Sequence, residues 1–464
     1  MLFDIDRKSS DSVAAIDDRG GIITYGQILY FYESIAKIID TREVIFCLCE
    51  NTIGSLVGYI SFYQNKDVVL LLGASIDREL LSELIFIYKP SYLWFPERLI
   101  NEFNVDVVTR NYGFLLAKTS NKKYPIHEDL SLLLTTSGST GSPKLVRYKY
   151  GNIECNAKAV AEVFNWTADE RAICELPMQY SMGLNVINSH LYSGGTVLLV
   201  SNSLTSPFFW KFIREQKGTS FTGVPFSYEI LNKLRFTQMS LPYLKTIAAG
   251  GGKLSDNLFV KLSEYAQING KRFFATFGTT ETSARMSYLP PDLAMSKTGS
   301  VGIPIPRSEM FLINELGNRI DESNIEGELC YRGSNVTMGY AFCKEDLAKG
   351  DEFNGEYRTG DIARKDLDGF FYILGRKKRF LKLFGLRVSL DQCERLINEK
   401  FQTECGCTGD DNRMDIFIEN SAITEDVKSF ISYKTKLPPS VFNVMFIESL
   451  PRNTSKKIIY SLLK

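Results

Sequence analysis

One stretch, "LLLTTSGSTGSPKLVRY" (132–148), places a run of small and hydroxylated residues between an apolar strand and one lysine, Lys144. Hydroxyls and glycine amides crowded into one loop offer many hydrogen-bond donors and allow close backbone approach, which suits phosphate oxygens. The ammonium group of Lys144 adds a mobile positive charge. No Gly-Lys-Ser/Thr follows at the place that a P-loop requires, so a P-loop NTPase is not indicated. Taken alone, the stretch is either a phosphate-binding loop or a Ser/Gly/Thr-rich surface linker.

Further stretches with residues suited to nucleotide chemistry occur in order along the chain. They are "GIITYGQIL" (21–29), "LPMQYSMGL" (176–184), "FGTTE" (277–281), "GELCYRGSNVTMGY" (327–340), "YRTGD" (357–361), "GRKKRFLKLFGLRV" (375–388) and "LPRNTSKKI" (450–458). Together with "TSGSTGSPK" (136–144), they resemble the signature motifs of the adenylate-forming superfamily. That superfamily comprises acyl- and aryl-CoA synthetases, the adenylation domains of nonribosomal peptide synthetases, and luciferases. The resemblance extends over essentially the full length of the chain.

The resemblance implies a fold and a reaction. The fold is α/β, with a large N-terminal domain of α/β subdomains and a small barrel, followed by a small mobile α+β C-terminal domain. In the reaction a carboxylate attacks the α-phosphate of ATP, giving an acyl-adenylate and pyrophosphate, and a thiol then takes the acyl group. The cofactors implied are ATP and Mg²⁺, with CoA or a phosphopantetheine arm as the acyl acceptor. Because charge accumulates on the phosphate oxygens, prepositioned donors and cations supply most of the catalysis.

Residues at the family's nucleotide-binding positions are carried over one at a time. The loop that holds the β- and γ-phosphates is matched by Thr136, Ser137, Gly138, Ser139, Thr140, Gly141 and Lys144. The adenine side is matched by the turn Gly250, Gly251 and Gly252 and by Phe277, Gly278 and Thr279, of which the phenylalanine would stack on the base. Asp361 matches the aspartate that accepts both ribose hydroxyls, because a carboxylate can accept from two donors. Arg376 matches an arginine that contacts ribose and phosphate.

The catalytic positions of the family are matched by four residues. Thr280 matches the hydroxyl on the α-phosphate, and Glu281 matches the carboxylate that holds Mg²⁺, a hard cation that prefers oxygen ligands. Lys382 matches a lysine that the luciferase branch uses in the second half-reaction. The family's last lysine is matched by Lys457, although Lys456 replaces the usual preceding glycine and becomes the alternative if the loop shifts by one residue.

The basic run near residue 380 contains further lysines and arginines. Lys378 lies where the family keeps its hinge residue. Lys377 and Arg379 beside it are either functional or part of a solvated face.

The predicted acid-binding pocket departs from two branches of the family. It is formed by Met178, Tyr180, Met182, Gly183 and Ala284. Tyr180 stands where CoA synthetases often place a gating histidine. No acidic residue lies between Met178 and Ile187 to hold the ammonium of an amino acid. These largely apolar residues predict a small aliphatic or aromatic acid as the substrate.

Composition bounds the other possibilities. The 464 residues allow two or three domains, and 54 basic against 54 acidic residues give a formal net charge of +0, so neither nucleic acid nor a membrane surface is an expected partner. With nine cysteines but only two histidines, no zinc site of the usual spacing is expected, and reduced cysteines favour the cytoplasm. No apolar run approaches the roughly 20 residues of a membrane helix, and the start lacks a signal-peptide pattern.

Helix-like and strand-like segments alternate along the chain, which favours sheets with helices on their faces. The periodicity predicts helices over 24–39, 52–64 and 78–88, with strands over 43–50, 67–73, 194–200 and 244–252. The composition changes near residue 365, where an Asp-Gly turn precedes the basic run. We therefore predict an N-terminal AMP-binding domain over 1–375 and a mobile C-terminal domain over 376–464, with the hinge near Lys378.

Two classes of function remain open from the sequence. The first is an ATP-dependent acid–thiol ligase that acts on a small carboxylic acid and delivers it to CoA or to an acyl carrier protein. The second is a non-catalytic nucleotide-binding relative of the same fold. A decayed enzyme would be expected to lose some polar site residues, yet Thr280, Glu281, Asp361, Arg376 and Lys457 are all present, which favours the ligase.

Overall fold

The structure, a computed structural model, describes residues 2–135, 144–377, 379–383, 386–410, 412–453 and 457–463. These residues form a mixed α/β fold with two large sheets, one smaller antiparallel sheet and a C-terminal group of short strands and helices. The predicted helices and strands are confirmed, with ends that differ by at most three residues. The first helix begins at Tyr25 because Thr24 caps it: its side chain accepts from the N–H of Gln27, and the Gln27 side chain accepts from the N–H of Thr24.

The first large sheet is built mainly from the N-terminal third of the chain. Its elements and their neighbours are, in chain order, β1 (Val13–Asp17), β2 (Ile22–Thr24), α1 (Tyr25–Ala36), β3 (Val44–Cys49), α2 (Ile53–Gln64), β4 (Val68–Gly73), α3 (Arg78–Tyr88), β5 (Tyr92–Pro96), β6 (Asp106–Asn111), β7 (Phe114–Lys118), β8 (Leu130–Thr135) and β9 (Leu145–Lys149). The strand order is β9-β8-β4-β3-β5-β7-β6. The central strands β3 and β4 are buried almost throughout, because α2 covers one face and α3 the other.

The second large sheet is built from the middle of the chain. Its elements are α4 (Asn152–Phe164), β10 (Arg171–Cys174), α5 (Ser181–Ser193), β11 (Thr196–Leu199), α6 (Pro207–Glu215), β12 (Ser220–Gly223), α7 (Pro225–Lys233), β13 (Thr246–Ala249), α8 (Asp256–Ile268), β14 (Arg272–Phe277), β15 (Ser287–Leu289) and β16 (Ile303–Pro304). The order is β16-β15-β14-β13-β12-β10-β11-β1-β2, and the six strands from β14 to β1 are parallel. The carboxyl ends of β12, β13 and β14 therefore share one edge, which is where ligands of parallel sheets bind.

The third sheet is five-stranded and antiparallel, and it supplies two of the predicted nucleotide ligands. Its elements are β17 (Ser308–Ile313), β18 (Arg319–Ile320), β19 (Glu326–Gly333), β21 (Glu356–Lys365) and β22 (Phe371–Arg376), with β20 (Tyr340–Ala341) between them in sequence. The strand order is β18-β17-β19-β21-β22. Strand β20 instead joins the edge of the first sheet beside β9, so Tyr340 is carried back toward the first sheet.

The C-terminal segment has a hydrophobic core of its own. Its elements are β23 (Phe380–Leu383), β24 (Leu386–Ser389), α9 (Leu390–Phe401), β25 (Cys405–Asp410), β26 (Arg413–Ile418), α10 (Thr424–Thr435) and β27 (Phe442–Phe446). This core begins at Leu381, whereas Arg376 still pairs with Asp361 in the third sheet. The N–H of Arg376 also donates to Asp391, at the start of α9, at 2.8 Å. The division at 375/376 stays a prediction.

Two expectations from composition can be compared with the fold. All nine cysteines are free, and most are buried. Among the described residues, no helix has the length and apolar character needed to cross a membrane.

Candidate active site

Asp361 and Arg376 lie opposite each other on β21 and β22. The Nε of Arg376 donates to Oδ1 of Asp361 at 2.8 Å. The other carboxylate oxygen, Oδ2, is buried and has no hydrogen-bond partner among the described residues. Burial raises the pKa of Asp361 to about 6, and Arg376 acts against that rise. Because buried polar atoms are normally paired, an open carboxylate oxygen at this place fits a donor supplied by a ligand, such as a ribose hydroxyl.

Glu281 lies in a short turn that follows β14 and is only 9% exposed. The hydroxyl of Tyr340 donates to Oε1 of Glu281 at 2.8 Å. The Nζ of Lys144 lies 3.5 Å from the centre of the Tyr340 ring, a distance typical of a cation–π contact. Tyr340 thus joins the end of the phosphate loop to the predicted magnesium ligand. No described side chain donates to the second oxygen of Glu281, and a Mg²⁺ site shared with phosphates needs only one or two carboxylates from the protein.

Thr280 lies between the predicted nucleotide and acid sites. Its hydroxyl is 3.5 Å from that of Ser181, the first residue of α5, and its carbonyl accepts from the hydroxyl of Tyr148 at 2.5 Å. The chain turns back sharply after Gly278, where an added Cβ would lie 1.8 Å from the carbonyl oxygen of Ala284. Glycine is therefore required there, and the tight turn holds Thr280 and Glu281 at the edge of the second sheet.

The glycine turn that follows β13 lies close to α5. A Cβ on Gly250 would lie 2.5 Å from the Thr276 hydroxyl and 2.6 Å from the Met182 methyl, and Gly251 has a φ of +74°. Both positions therefore favour glycine. The turn thus approaches Met182 of the predicted acid pocket, while Phe277 at the end of β14 is half-buried against the third sheet. Contact of the turn with adenine stays a prediction.

Lys457 reaches this site from the C-terminal segment. Its N–H donates to the Asn453 side chain at 3.0 Å, and its carbonyl accepts from the Asn453 N–H at 2.9 Å. Although the residue as a whole is exposed, burial lowers the pKa of its ammonium group. Arg376 lowers the pKa further, while Asp361 and Glu281 act in the opposite direction. The ammonium group is therefore electrostatically coupled to all three residues.

Several residues predicted for the site either lie outside the described residues or contact residues away from the site. Residues 136–143, which include Thr136, Ser137, Gly138, Ser139, Thr140 and Gly141, lie outside the described residues, as do Lys378 and Lys456. Lys382 lies in β23, and its side chain is also outside the description. Lys377 pairs with Glu328 at 2.8 Å.

Arg379 is part of the C-terminal fold and not of a solvated face. It pairs with Asp391, and with Glu394 at 2.6 Å, and it lies 3.7 Å from the centre of the Tyr460 ring. Glu394 accepts from the Tyr460 hydroxyl at 3.0 Å, so the three side chains form one network. The arginine thus holds β23 against α9 and the chain terminus.

The residues predicted for the acid pocket differ in burial. Met178 is completely buried in the main hydrophobic core, and Gly183 packs against the Pro177 carbonyl. Tyr180 is half-buried and immediately precedes α5, while Ala284 is buried with a φ of +87°. A cavity of about 280 Å³ between α6, α7 and β12 is lined by none of the predicted site residues. The acid pocket therefore stays a prediction.

The structure adds residues that the motifs did not identify. Tyr340 and Ser181 both lie inside quoted motifs, but only the fold shows their contacts with Glu281 and Thr280. Tyr148 follows the phosphate loop by a few residues. Arg285, which directly follows Ala284, is completely buried and had no signal other than its charge.

The fold and the site together define a class of protein. A mixed α/β fold brings three cations (Lys144, Arg376, Lys457), two buried carboxylates (Asp361, Glu281) and a hydroxyl (Thr280) to one region. Such a set suits an enzyme that binds a nucleotide and stabilises charge on its phosphates. Comparison with known proteins gives the particular family.

Residues 79–341 match the family described as AMP-binding enzyme. Over 355 residues the sequence is 30% identical to an oxalate–CoA ligase of Arabidopsis thaliana, covering 71% of the chain and 66% of that enzyme. It is 28% identical over 352 residues to a 2-succinylbenzoate–CoA ligase of Bacillus cytotoxicus, covering 72% of the chain and 70% of that enzyme. The aligned region thus spans about two thirds of each relative.

Among solved structures, the o-succinylbenzoate coenzyme A synthetase of Bacillus subtilis in complex with AMP has the same fold. The TM-score is 0.82 at 20% identity, and the superposition covers 100% of the chain and 97% of that structure. A complex of the same enzyme with ATP and a magnesium ion gives a TM-score of 0.80. The chain belongs to the AMP-binding enzyme family, the adenylate-forming superfamily that its motifs resemble, and is an enzyme of the AMP-forming ligase class.

Proposed function

We propose that this protein activates a carboxylic acid with ATP, releases pyrophosphate, and transfers the acyl group from the adenylate to the thiol of CoA. The observation that carries the proposal is the open Oδ2 of Asp361, buried beside Arg376 and coupled to Lys457. The names of the two related CoA ligases support CoA as the acceptor. A carrier-protein phosphopantetheine is the alternative acceptor that the experiment below distinguishes.

The nucleotide would be held by residues from three segments. Asp361 would accept the ribose hydroxyls, Arg376 would contact ribose and phosphate, and Lys144 would contact the β- and γ-phosphates. Glu281 is the residue that would hold Mg²⁺ together with phosphate oxygens, and the ion would supply neutralisation of phosphate charge. No cluster of three or more His, Cys, Asp or Glu side chains suited to a metal occurs among the described residues, so protein-only coordination is not supported.

The adenylation step joins two anions and therefore needs positive charge at the point of contact. An oxygen of the acid attacks the α-phosphorus, and the bond from that phosphorus to the β-phosphate bridging oxygen breaks, so pyrophosphate leaves. Thr280 would donate to an α-phosphate oxygen, and Lys457 would stand between that phosphate and the acid. These fixed donors would stabilise the transition state more than the separated substrates, which is how they would accelerate the step.

A pyrophosphate-release assay over a panel of carboxylic acids tests the proposal. We expect release that depends on one class of acid and on Mg²⁺, followed by thioester formation when CoA is added. Thioester formed only with a holo carrier protein would change the acceptor and keep the first step. Nucleotide binding without release for any acid would instead support the non-catalytic alternative. We propose the cytoplasm as the compartment, because it supplies ATP and CoA and keeps thiols reduced, which fits the nine free cysteines.

Asp361 gives a prediction about nucleotide affinity and its pH dependence. Replacing Asp361 with alanine is expected to weaken AMP binding by about 10–100-fold, because ribose hydroxyls lose a charged acceptor worth roughly 1.5–3 kcal/mol per bond. Since burial raises the pKa of Asp361 to about 6, the carboxylate becomes protonated as the pH falls through that value. The wild-type affinity should therefore decrease below about pH 6, as measured by calorimetric titration with AMP.

Asp361→Asn is the matched control for that pH dependence. It keeps the side-chain shape but cannot titrate, so its affinity should change with pH only as far as the AMP phosphate itself does. Parallel curves for the wild type and Asp361→Asn would show that the ribose acceptor is another group.

The proposed rotation of the C-terminal domain predicts unequal effects on the two half-reactions. Replacing Lys378 with proline fixes φ at the hinge and should slow thioester formation by about 10-fold or more, while adenylation changes little. Separate assays of pyrophosphate release and thioester formation measure the two steps. Lys378→Ala, which leaves the backbone free, serves as the control. Equal losses in both steps for the proline variant would count against a rotation at this residue.

A further inference from the structure

A cavity of about 280 Å³ lies against one face of the second large sheet. Buried apolar side chains from two strands and two helices form its inner wall: Ile173 of β10, Phe221 of β12, Ile213 of α6 and Leu231 of α7. All four side chains belong to the same hydrophobic core. The cavity therefore extends into the packed interior of this part of the protein.

The cavity reaches the protein surface on one side. Four exposed residues line it there: Arg214, Ser240, Pro242 and Tyr243. Lys271 holds the loop that carries the last three, because its Nζ donates to the carbonyl of Leu244 at 2.6 Å and to that of Leu241 at 3.4 Å. This mouth gives a small molecule a route from solvent into the apolar interior.

The mouth lies at the opposite edge of the sheet from the candidate active site. Gly218 precedes β12 and residues 242–244 precede β13, so these lining segments stand at the amino ends of two parallel strands. The glycine turn 250–252 and Glu281 instead follow the carboxyl ends of β13 and β14. The amino and carboxyl ends of parallel strands form opposite edges of a sheet. The cavity is therefore separate from the site that the proposed function uses.

The mouth of the cavity is positively charged. Among the described residues that line the cavity, Arg214 is the only charged one. Its guanidinium has no ion pair or hydrogen bond with a described residue. Glu215, the one acidic residue of α6, pairs with Lys211 at 3.9 Å. A second cation, Lys217, lies with its Nζ 5.5 Å from the centre of the Tyr243 ring. An unpaired cation thus stands at the opening of an apolar interior.

The size of the cavity indicates how large a ligand it holds. An empty cavity in a hydrophobic core is unfavourable, because the atoms that line it lose van der Waals contacts. Apolar cavities of about 150 Å³ stay dry and bind molecules as large as benzene. In proportion, the volume of about 280 Å³ holds roughly ten carbon atoms. An apolar chain of that length would restore the missing contacts.

We infer that this cavity binds an anionic amphiphile, of which a fatty acid anion of about eight to ten carbons is the simplest example. The alkyl chain fills the apolar interior, and the carboxylate accepts hydrogen bonds from the guanidinium of Arg214 at the mouth. Lys217 adds a longer-range attraction for the negative charge. The inference does not rest on the proposed function, because the ligand is bound at this second site without being activated.

Calorimetric titration in the absence of ATP tests the inference, since no acid can then be activated. Octanoate is compared with octylammonium, which has the same chain length and the opposite charge, and we expect octanoate to bind about 10-fold more tightly. Octanoate should also bind about 10²-fold more tightly than butanoate, because each further buried methylene strengthens binding about fourfold. Bound octanoate should raise the Tm of the protein.

Two variants locate the bound molecule. Arg214→Gln removes the charge at the mouth and should weaken octanoate binding by about 3–5-fold, the range of an exposed ion pair, without weakening octylammonium binding. Lys211→Gln is its control, because it removes a charge from the same helix at a residue that does not line the cavity. Leu231→Trp fills part of the interior and should weaken octanoate binding by about 10-fold or more.

Leu262→Trp is the control for the substitution inside the cavity. Leu262 is as buried as Leu231 and belongs to the same core, but it does not line the cavity. Leu262→Trp should lower the Tm because a packed position has no room for a larger side chain, whereas Leu231→Trp should leave the Tm close to that of the wild type. If Leu231→Trp does not fold, the ligand series with the wild type and Arg214→Gln decides the inference.

Three results would overturn the inference. The wild type could bind octanoate and octylammonium equally, or octanoate affinity could be unchanged in Arg214→Gln and Leu231→Trp, which would place the ligand elsewhere, such as in the predicted acid pocket. A wild type that does not bind octanoate would make the cavity a packing defect only. Pyrophosphate release by Arg214→Gln should equal that of the wild type, so failure of the inference and failure of the proposed function are measured separately.

Discussion

Replacing Glu281 with glutamine is expected to lower the rate of adenylate formation by about 10²–10³-fold, the effect of removing one preorganised electrostatic group from a phosphoryl site. The change removes a charge and almost no volume, so the fold should persist. Glu281 is only 9% exposed, and the hydroxyl of Tyr340 orients one of its oxygens. Acid-dependent pyrophosphate release at a series of Mg²⁺ concentrations measures the effect, and a higher Mg²⁺ requirement is expected.

Two further variants show whether that loss is specific. Glu322→Gln changes the same residue type at an exposed position and should leave activity unchanged. Tyr340→Phe keeps the ring near Lys144 but removes the hydrogen bond to Glu281, so a smaller loss is expected. Adenylate formation at near wild-type rates by Glu281→Gln would show that the metal assignment is wrong.

Replacing Lys457 with alanine is expected to lower adenylation by about 10²-fold or more, because the step would lose the cation that we propose stands between the two anions. Transfer from acyl-adenylate supplied ready-made should be largely retained, since the proposed rotation of the C-terminal domain would carry the lysine out of the site. The electrostatic coupling of Lys457 to Asp361, Arg376 and Glu281 supports its role in the first step. Pyrophosphate release measures the first step, and thioester formation from synthetic adenylate measures the second.

Lys456→Ala is the matched control, because it removes the lysine that directly precedes Lys457 in the sequence. It should behave like the wild type in both assays. If Lys456→Ala shows the selective loss of adenylation instead, the register of the motif is shifted by one residue. If neither variant does, neither lysine takes part in catalysis.

The candidate nucleotide site could be proposed from the motifs because each motif is local in sequence. Thr280 and Glu281 lie in one turn, and Asp361 ends a motif in which the strand pairing places Arg376 directly opposite. The helix and strand periodicities likewise predicted the elements around the first sheet. Patterns of this kind depend on residues that are close together in the sequence, so they can be recognised without knowledge of the tertiary structure.

Contacts between distant segments could not be predicted in the same way. Tyr340 lies 59 residues after Glu281 in the sequence and contacts it because β20, which carries Tyr340, pairs with β9 at the edge of the first sheet. The sequence left Arg379 either functional or part of a solvated face, and the structure pairs it with Asp391 and Glu394 in the C-terminal segment. Both outcomes depend on which elements the fold packs together, and single-sequence periodicity does not contain that information.

The acid pocket shows the same limit at the level of chemistry. Met178 and Met182 were expected to line an apolar pocket, whereas Met178 packs in the core and the hydroxyl of Ser181 lies 3.5 Å from that of Thr280. The buried Nε of Arg285 has no acceptor among the described residues, a feature that only a structure can reveal. Residue types alone therefore gave the reaction class more readily than the substrate.

The central claim is that a carboxylate oxygen of the substrate attacks the α-phosphorus of ATP. Its most direct test uses an acid labelled with the heavy oxygen isotope in its carboxylate, followed by mass spectrometry of the AMP formed after transfer to CoA. The account predicts one labelled oxygen in AMP, because the thiol displaces AMP at the acyl carbon and leaves the acid's oxygen on phosphorus. Unlabelled AMP formed in an acid-dependent reaction would contradict the account.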